Sequence, residues 1–413
     1  MPRWLLAMSL LLTEVAAMVQ GELVNLSPDD HGDRIARVSD GEISHLPAER
    51  VELRSRVTGG GHCRYIRRTQ NGDLHVTGSG LEGIMYRSTD GGHTWTQHDY
   101  TIEHLRFVSA FTILRDDTFL LAFRHDNHIM IARSTDRGRS WSTTKMNGDI
   151  GSYRYVFNDN NDLCELQDGS ILLTVDLSRS KTGDYGDLAI ELRGHFPHVF
   201  RSSDGGRTWG ERSMISFYGA ETHLIQLPSG KVLACIRKQR WHRLPGDPAT
   251  VGEMKRHHGF RPQFPNEDSG PDQENGSNRF KNIFVTESDD EGRTWVNERR
   301  FTDFLQCPGD FVLLPDGRLV LTFLHRFPDD VAHTGIRALI SDDLGKTWHD
   351  ETYIISQGHG EDIDSGSSYP GNIAMLDGTL ITVCANWHSG RTRLEAVHWR
   401  PPPAPGSDAG RMK

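Results

Sequence analysis

Three residues stand where chemistry could be done. In the stretch GAETHLIQLPSGKVLACIR, Glu221 and Arg237 lie sixteen residues apart, on either side of Ser229-Gly230. In SSYPGNIAMLDGTL, Tyr369 stands eight residues before Asp377-Gly378, as Glu221 stands eight before Ser229. A phenol, with a pKa of about 10, attacks at neutral pH only with a base beside it, and a carboxylate can be that base. A planar guanidinium grips a carboxylate through two parallel bonds. The plain alternatives are a buried structural Glu–Arg pair and a packed strand tyrosine.

The elements that must hold these residues are hairpins. QNGDLHV, RDDTFLLAF, QDGSILLTV, PSGKVLACI, PDGRLVLTF and LDGTLITVC each set turn residues between apolar β-type runs, six times in the chain. Between consecutive hairpins lies a Ser-x-Asp-x-Gly-x-Thr/Ser-Trp box, five times, ending at Trp95, Trp141, Trp209, Trp295 and Trp348. Strand, hairpin, strand, connection, strand, box, strand makes a four-stranded antiparallel blade. The pattern predicts an all-β fold, a six-bladed β-propeller. The last unit lacks a box, and AERVELRSR, residues 48–56, is expected to supply its outer strand.

The boxes look like sites but read as turns. A short carboxylate caps turn amides, Gly accepts positive φ, and Trp buries a large surface. Asp90, Asp136, Asp204, Asp290 and Asp343 are therefore expected to be structural. Strand alternation places boxes and first hairpins at one end of the blades. The long connections, residues 177–198 and 238–280 and the segment HRFPDDVAHTG, gather at the other, where binding usually sits. Glu221, Arg237 and Tyr369 should face the funnel at that end.

The box resembles the Asp box of the sialidase (neuraminidase) superfamily, over nearly the whole mature chain. The family's pattern brackets one hairpin with Glu and Arg and sets a Tyr before the last Asp-Gly turn. The resemblance implies Tyr369 as nucleophile, Glu221 as its general base and Arg237 as a carboxylate clamp. Sialidases are the glycosidases that use a Tyr nucleophile. The sequence departs from the family at three points. His62 stands where the first clamp Arg belongs, with Arg64 two residues on; His333 stands where the third belongs, with Arg337 four on. The general-acid Asp has no counterpart: the loop GSGLEG offers Glu82 alone, and His125 is the other candidate acid. His104, Arg124, His128, His223, His325, Arg326 and His388 add to a His- and Arg-rich rim suited to an anionic or polyhydroxylated ligand.

Composition narrows the rest. The 413 residues are 36% hydrophobic and carry a formal net charge of -10, without a basic run, which argues against nucleic acid. The N-terminus has Arg3, an apolar stretch from Trp4 to Leu12 and a small-residue site at Val15-Ala16-Ala17, the pattern of a signal peptide over residues 1–21. No membrane span is expected, and export, secreted or periplasmic, is. Residues 22–400 are expected to form the propeller, and 401–413 a disordered tail. Cys63, Cys164, Cys235, Cys307 and Cys384 form no disulfide framework or metal spacing and read as buried free thiols. No metal or cofactor is expected.

The expected function is a sialidase-like glycoside hydrolase that cleaves a terminal acidic sugar from a glycan or glycoconjugate. Tyr369, Glu221 and His125 are its catalytic candidates, and Arg237, His62, Arg64, His333 and Arg337 its substrate-binding ones. The alternatives are a lyase acting on uronate-containing polysaccharides and a glycan-binding propeller without activity.

Overall fold

The computed structural model describes residues 33–403 except 41, 55–63, 127, 156–159, 180–193, 241–243, 246, 248–279, 303–305, 326–334, 357–368 and 389–390. The expected signal peptide, His62, Cys63, Arg326, His333, most of the three long connections and residues 404–413 lie outside the described residues. No helix among the described residues is long and apolar enough to cross a membrane.

The first strands among the described residues are β1 (Arg34–Ser39) and β2 (Glu42–Arg54). Four small antiparallel sheets follow. The first holds β3 (Tyr65–Arg68), β4 (Leu74–Thr77), β5 (Ile84–Ser88) and β6 (Thr96–Asp99). The second holds β7 (Val108–Ile113), β8 (Phe119–His125), β9 (His128–Ser134) and β10 (Ser142–Lys145). In the third, β11 (Arg154–Tyr155) and β12 (Leu163–Glu165) both pair with β13 (Ile171–Ser178), followed by β14 (Phe196–Ser202) and β15 (Gly210–Met214). The fourth holds β16 (Gly219–Gln226), β17 (Val232–Arg240), β18 (Phe280–Ser288) and β19 (Val296–Arg300).

The rest departs from six separate four-stranded sheets. β20 (Gln306–Leu313), β21 (Leu319–His325), β22 (Gly335–Ser341) and β23 (Thr352–Ile354) continue through β1 and β2 into β26 (Arg391–Trp399), β25 (Leu380–His388) and β24 (Gly371–Ala374), one nine-stranded sheet. The cause is β1, which pairs with β23 on one side and β2 on the other, so the ladder never breaks. That sheet folds back on itself: Val320, Leu324 and Ile340 share an apolar core with Leu380, Val397 and Trp399. The register Ala48↔Trp399 to Arg54↔Leu394 gives β26 the outer strand expected from residues 48–56.

The inner strands close a ring. β3 contacts β7, β7 contacts β12, and the series runs through β16, β20 and β24 back to β3. Apolar clusters fill the spaces between neighbouring sheets; one packs Leu74 and Val76 of the first sheet against Ile381 and Val383 of β25. At this closure Gly371 meets the backbone of Arg64 so tightly that a Cβ would collide with the Arg64 carbonyl oxygen, a contact only glycine permits.

The five boxes share one Ser–Asp–Gly–Thr/Ser bonding pattern, and the first three add an indole bond to the glycine carbonyl. In the third, the Ser202 hydroxyl donates to Asp204 Oδ1 at 2.8 Å and accepts from Gly206 N at 2.9 Å. Thr208 donates to Asp204 from N at 2.9 Å and from Oγ1 at 2.6 Å. Trp209 Nε1 donates to Gly206 O at 3.1 Å, and the indole is 4% exposed within the core between the second and third sheets. Gly206 itself lies on Leu120 of β8, so the turn also docks its sheet on the one before. The Asp residues are thus committed to the fold.

These bonds favour the charged carboxylate. The amide and hydroxyl of Thr347 hold Asp343 down to about 2. Asp204 also falls to about 2: burial pulls it upward, and the bonds from Thr208 and Ser202 pull down harder. A folded-state pKa below the unfolded one adds stability that is complete above about pH 4 and is lost as pH falls toward 2. Asp204→Ala is accordingly expected to cost about 1 kcal/mol at pH 7 and far less at pH 2. Urea unfolding at both pH values reads this; an equal loss at both would contradict the assignment.

Candidate active site

Glu221 is aimed by a fault in its strand. The β16–β17 register runs Ala220↔Arg237 and then His223↔Cys235, so Glu221 and Thr222 together oppose Ile236. Such bulges turn a side chain out of the regular alternation. Glu221 takes a φ of 52°, a left-handed conformation that costs a non-glycine residue roughly 1–3 kcal/mol and tends to persist at functional positions. Its amide donates to Asp176 Oδ2 at 3.2 Å.

The structure brings together the three residues singled out by spacing. Arg237 Nη2 lies 2.8 Å from Glu221 Oε1, and Arg237 Nη1 donates to the Tyr369 hydroxyl at 3.4 Å. The guanidinium therefore sits between phenol and carboxylate. Glu221 and Tyr369 are each 4% exposed, whereas the Arg237 side chain keeps 13% exposure. Burial works to lower the Arg237 pKa; the charge of Glu221 and the nearby Tyr369 phenol outweigh it and hold the guanidinium above its ordinary value. Glu221 Oε2 and Arg237 Nε are buried without a hydrogen-bond partner among the described residues, which leaves one acceptor and one donor for something that enters.

A network that spacing did not single out ties these strands together. His223, two residues beyond Glu221, places Nε2 2.7 Å from Asp310 Oδ1 and 3.3 Å from Asp162 Oδ2. Its Nδ1 accepts from Phe311 N at 3.2 Å, so Nε2 carries the proton and donates to the carboxylates. Asp310 Oδ2 accepts from Asn372 Nδ2 at 2.7 Å and from Asn372 N at 3.0 Å. Asn372 lies three residues after Tyr369. The strand of Glu221 and β24, which follows Tyr369, are thus joined through β20. Burial raises the Asp310 pKa, but His223, then the Arg64 charge and the Asn372 hydrogen bond, lower it further, and the group stays ionised.

The contacts described for the remaining candidates go to other groups. Arg64 is 2% exposed, and its guanidinium donates to the carbonyls of Asn160 at 3.1 Å and Gly309 at 3.4 Å. Arg337, on β22, donates to the carbonyls of Ile336 at 3.3 Å and Ser356 at 3.2 Å, and burial draws its pKa down to about 9. The described bonds of both are to backbone. His125 ends β8 and stacks on His104 with ring centroids 4.0 Å apart. Those two rings line a cavity of about 340 Å³ with Arg106, Phe107, Arg124 and Asp126. The contacts described for His125 are to this cavity. Among the thiols, Cys164, Cys235, Cys307 and Cys384 are free, and all but Cys164 are buried.

Sequence comparison is silent: no protein-family model matches the chain, and no curated protein matches it significantly. Solved structures do resemble it. A Dyadobacter fermentans protein of unknown function superposes with a TM-score of 0.56 at 16% identity, over 86% of this chain and 99% of that one. A Hadza microbial sialidase gives 0.53 at 16% identity, over 84% of this chain and 66% of its own. Trypanosoma rangeli sialidase, in a covalent-intermediate complex with 2,3-difluorosialic acid, gives 0.53 at 14% identity, over 88% and 59%. The chain thus spans 66% and 59% of the two sialidases. At these identities the likeness is one of fold: the protein has a sialidase-like propeller.

Proposed function

We propose that the protein is an exported glycoside hydrolase that removes a terminal acidic sugar by double displacement. The observation that carries this reading is the Tyr369–Arg237–Glu221 group, in which one guanidinium contacts both the phenol and the carboxylate. In this scheme Tyr369 Oη attacks the anomeric carbon while the glycosidic C–O bond breaks. The phenolic proton passes to Glu221, whose Oε2 has no hydrogen-bond partner among the described residues. Arg237 draws electron density from the phenol and, through its exposed edge, orients the sugar carboxylate. Water then cleaves the tyrosyl–sugar bond, and the anomeric configuration is retained. The leaving oxygen needs a proton donor; His125 is the residue proposed for it.

The fold supports the same reading at a finer level. The nine-stranded sheet reads as two blades bridged by β1, which makes six, one for each inner strand, and the boxes then read as Asp boxes. The test is a panel of sialylated and uronate-containing glycans, read by mass spectrometry and ultraviolet absorbance. Release of a saturated acidic monosaccharide is expected. An absorbing unsaturated product would mean β-elimination, and binding without product a lectin-like module; either overturns the hydrolase reading.

A further inference from the structure

We propose that Glu49, His93 and His398 form a binding site for a divalent transition-metal cation of the zinc type, set at the seam where the ring closes. Glu49 belongs to β2, His93 to the first box and His398 to β26, three segments far apart in sequence. Their donor atoms all lie within 4.8 Å of one another. His93 Nδ1 is 2.9 Å from Glu49 Oε2 and 3.0 Å from Oε1. The two imidazoles stack with centroids 5.0 Å apart and planes 20° apart.

The chemistry of the donors selects the ion. Two imidazoles and one carboxylate form a borderline-soft set that suits zinc and its neighbours and leaves a fourth position for water. Calcium and magnesium prefer oxygen cages. The site is also partly preformed. His398 is 7% exposed, and its Nε2 lies 3.1 Å from Gly92 O. A Cβ on Gly92 would come within 2.9 Å of the same ring, so the box turn is seated directly against it. Glu49 and His93 remain open to solvent, with side chains 49% and 56% exposed, which gives an ion a path in.

The location gives the ion a role. His398 pairs with Ile381, near the turn end of β25, while Gly371 pairs with Val383 further along and Tyr369 precedes Gly371 by two residues, toward the opposite end of the blade, so the site lies away from the candidate active site. A metal there would join the N-terminal strand, the first sheet and the last strand, and its binding energy would become ring-closure stability.

The test uses the mature protein, stripped with a chelator and dialysed. Titration with zinc is expected to show one tight site and to raise Tm by about 3 °C at a hundredfold excess over Kd. Cobalt is expected to give visible absorption bands of a tetrahedral centre. The protein has 21 histidines, so the variants decide. His93→Ala, at an exposed position, should leave the metal-free Tm unchanged, weaken zinc at least about a hundredfold and abolish the Tm rise. Glu49→Gln should weaken it about tenfold. Absence of a tight site in the wild-type protein, or the same affinity and Tm rise in His93→Ala, would overturn the proposal.

Discussion

Tyr369→Phe is expected to lower kcat at least about a thousandfold, about 4 kcal/mol of transition-state stabilisation, while substrate binding changes less than about threefold. The substitution removes one oxygen and keeps a buried ring of the same shape, so stability should fall by about 1 kcal/mol or less. This split separates a nucleophile from a packing residue. A packed aromatic would leave kcat alone. A ligand-contacting hydroxyl would move KM and leave kcat. Single-turnover kinetics on the sugar released in the glycan panel reads both, and retention of more than about a tenth of wild-type kcat would contradict the assignment.

The second large effect falls on the ion pair. Arg237→Met leaves the Glu221 carboxylate buried beside an apolar side chain, having lost its 2.8 Å partner. Removing one member of a buried pair typically costs about 3–5 kcal/mol, because the other charge stays behind. Adding Glu221→Gln to that variant removes the orphaned charge, and the double variant is expected to recover more than half of the stability. Activity should be lost in both, since each removes part of the group around Tyr369. Urea unfolding of the two single variants and the double variant completes the cycle. Strictly additive losses would show that the two side chains do not act as a pair.

How much of this was legible beforehand depends on what was local. Glu221, Arg237 and Tyr369 could be found because each keeps a fixed distance from a turn, and a hairpin converts that distance into a place. The boxes were legible for the same reason: Ser202, Asp204, Gly206, Thr208 and Trp209 satisfy one another within a single turn. The strand over residues 48–54 could be anticipated from the missing outer strand of the last unit. The pairing of β1 with β23 could not, because three register positions in a short, partly polar strand carry little pattern.

The network behind the three residues was hidden for a different reason. His223, Asp310, Asp162 and Asn372 come from three sheets, and nothing in their own segments names the partner. A faint signal was present: Asp176 lies in ILLTVDLS, a strand buried at every position, where a carboxylate requires a partner. Arg64 shows what spacing leaves out. Its spacing suits a clamp, yet the close approach at Gly371 draws its strand into the ring closure, and its guanidinium donates to the carbonyls of Asn160 and Gly309.

The central claim is that Tyr369 bonds to the sugar, and trapping that bond tests it most directly. The protein would be incubated with a fluorinated, activated analogue of the acidic sugar released in the panel, then digested and sequenced by mass spectrometry. The account predicts that the peptide carrying Tyr369 gains the mass of one sugar, with the adduct on the phenolic oxygen, and that Tyr369→Phe gains none. Adduct on another residue, or turnover of the natural substrate with no trappable adduct and inversion at the anomeric carbon, would contradict it.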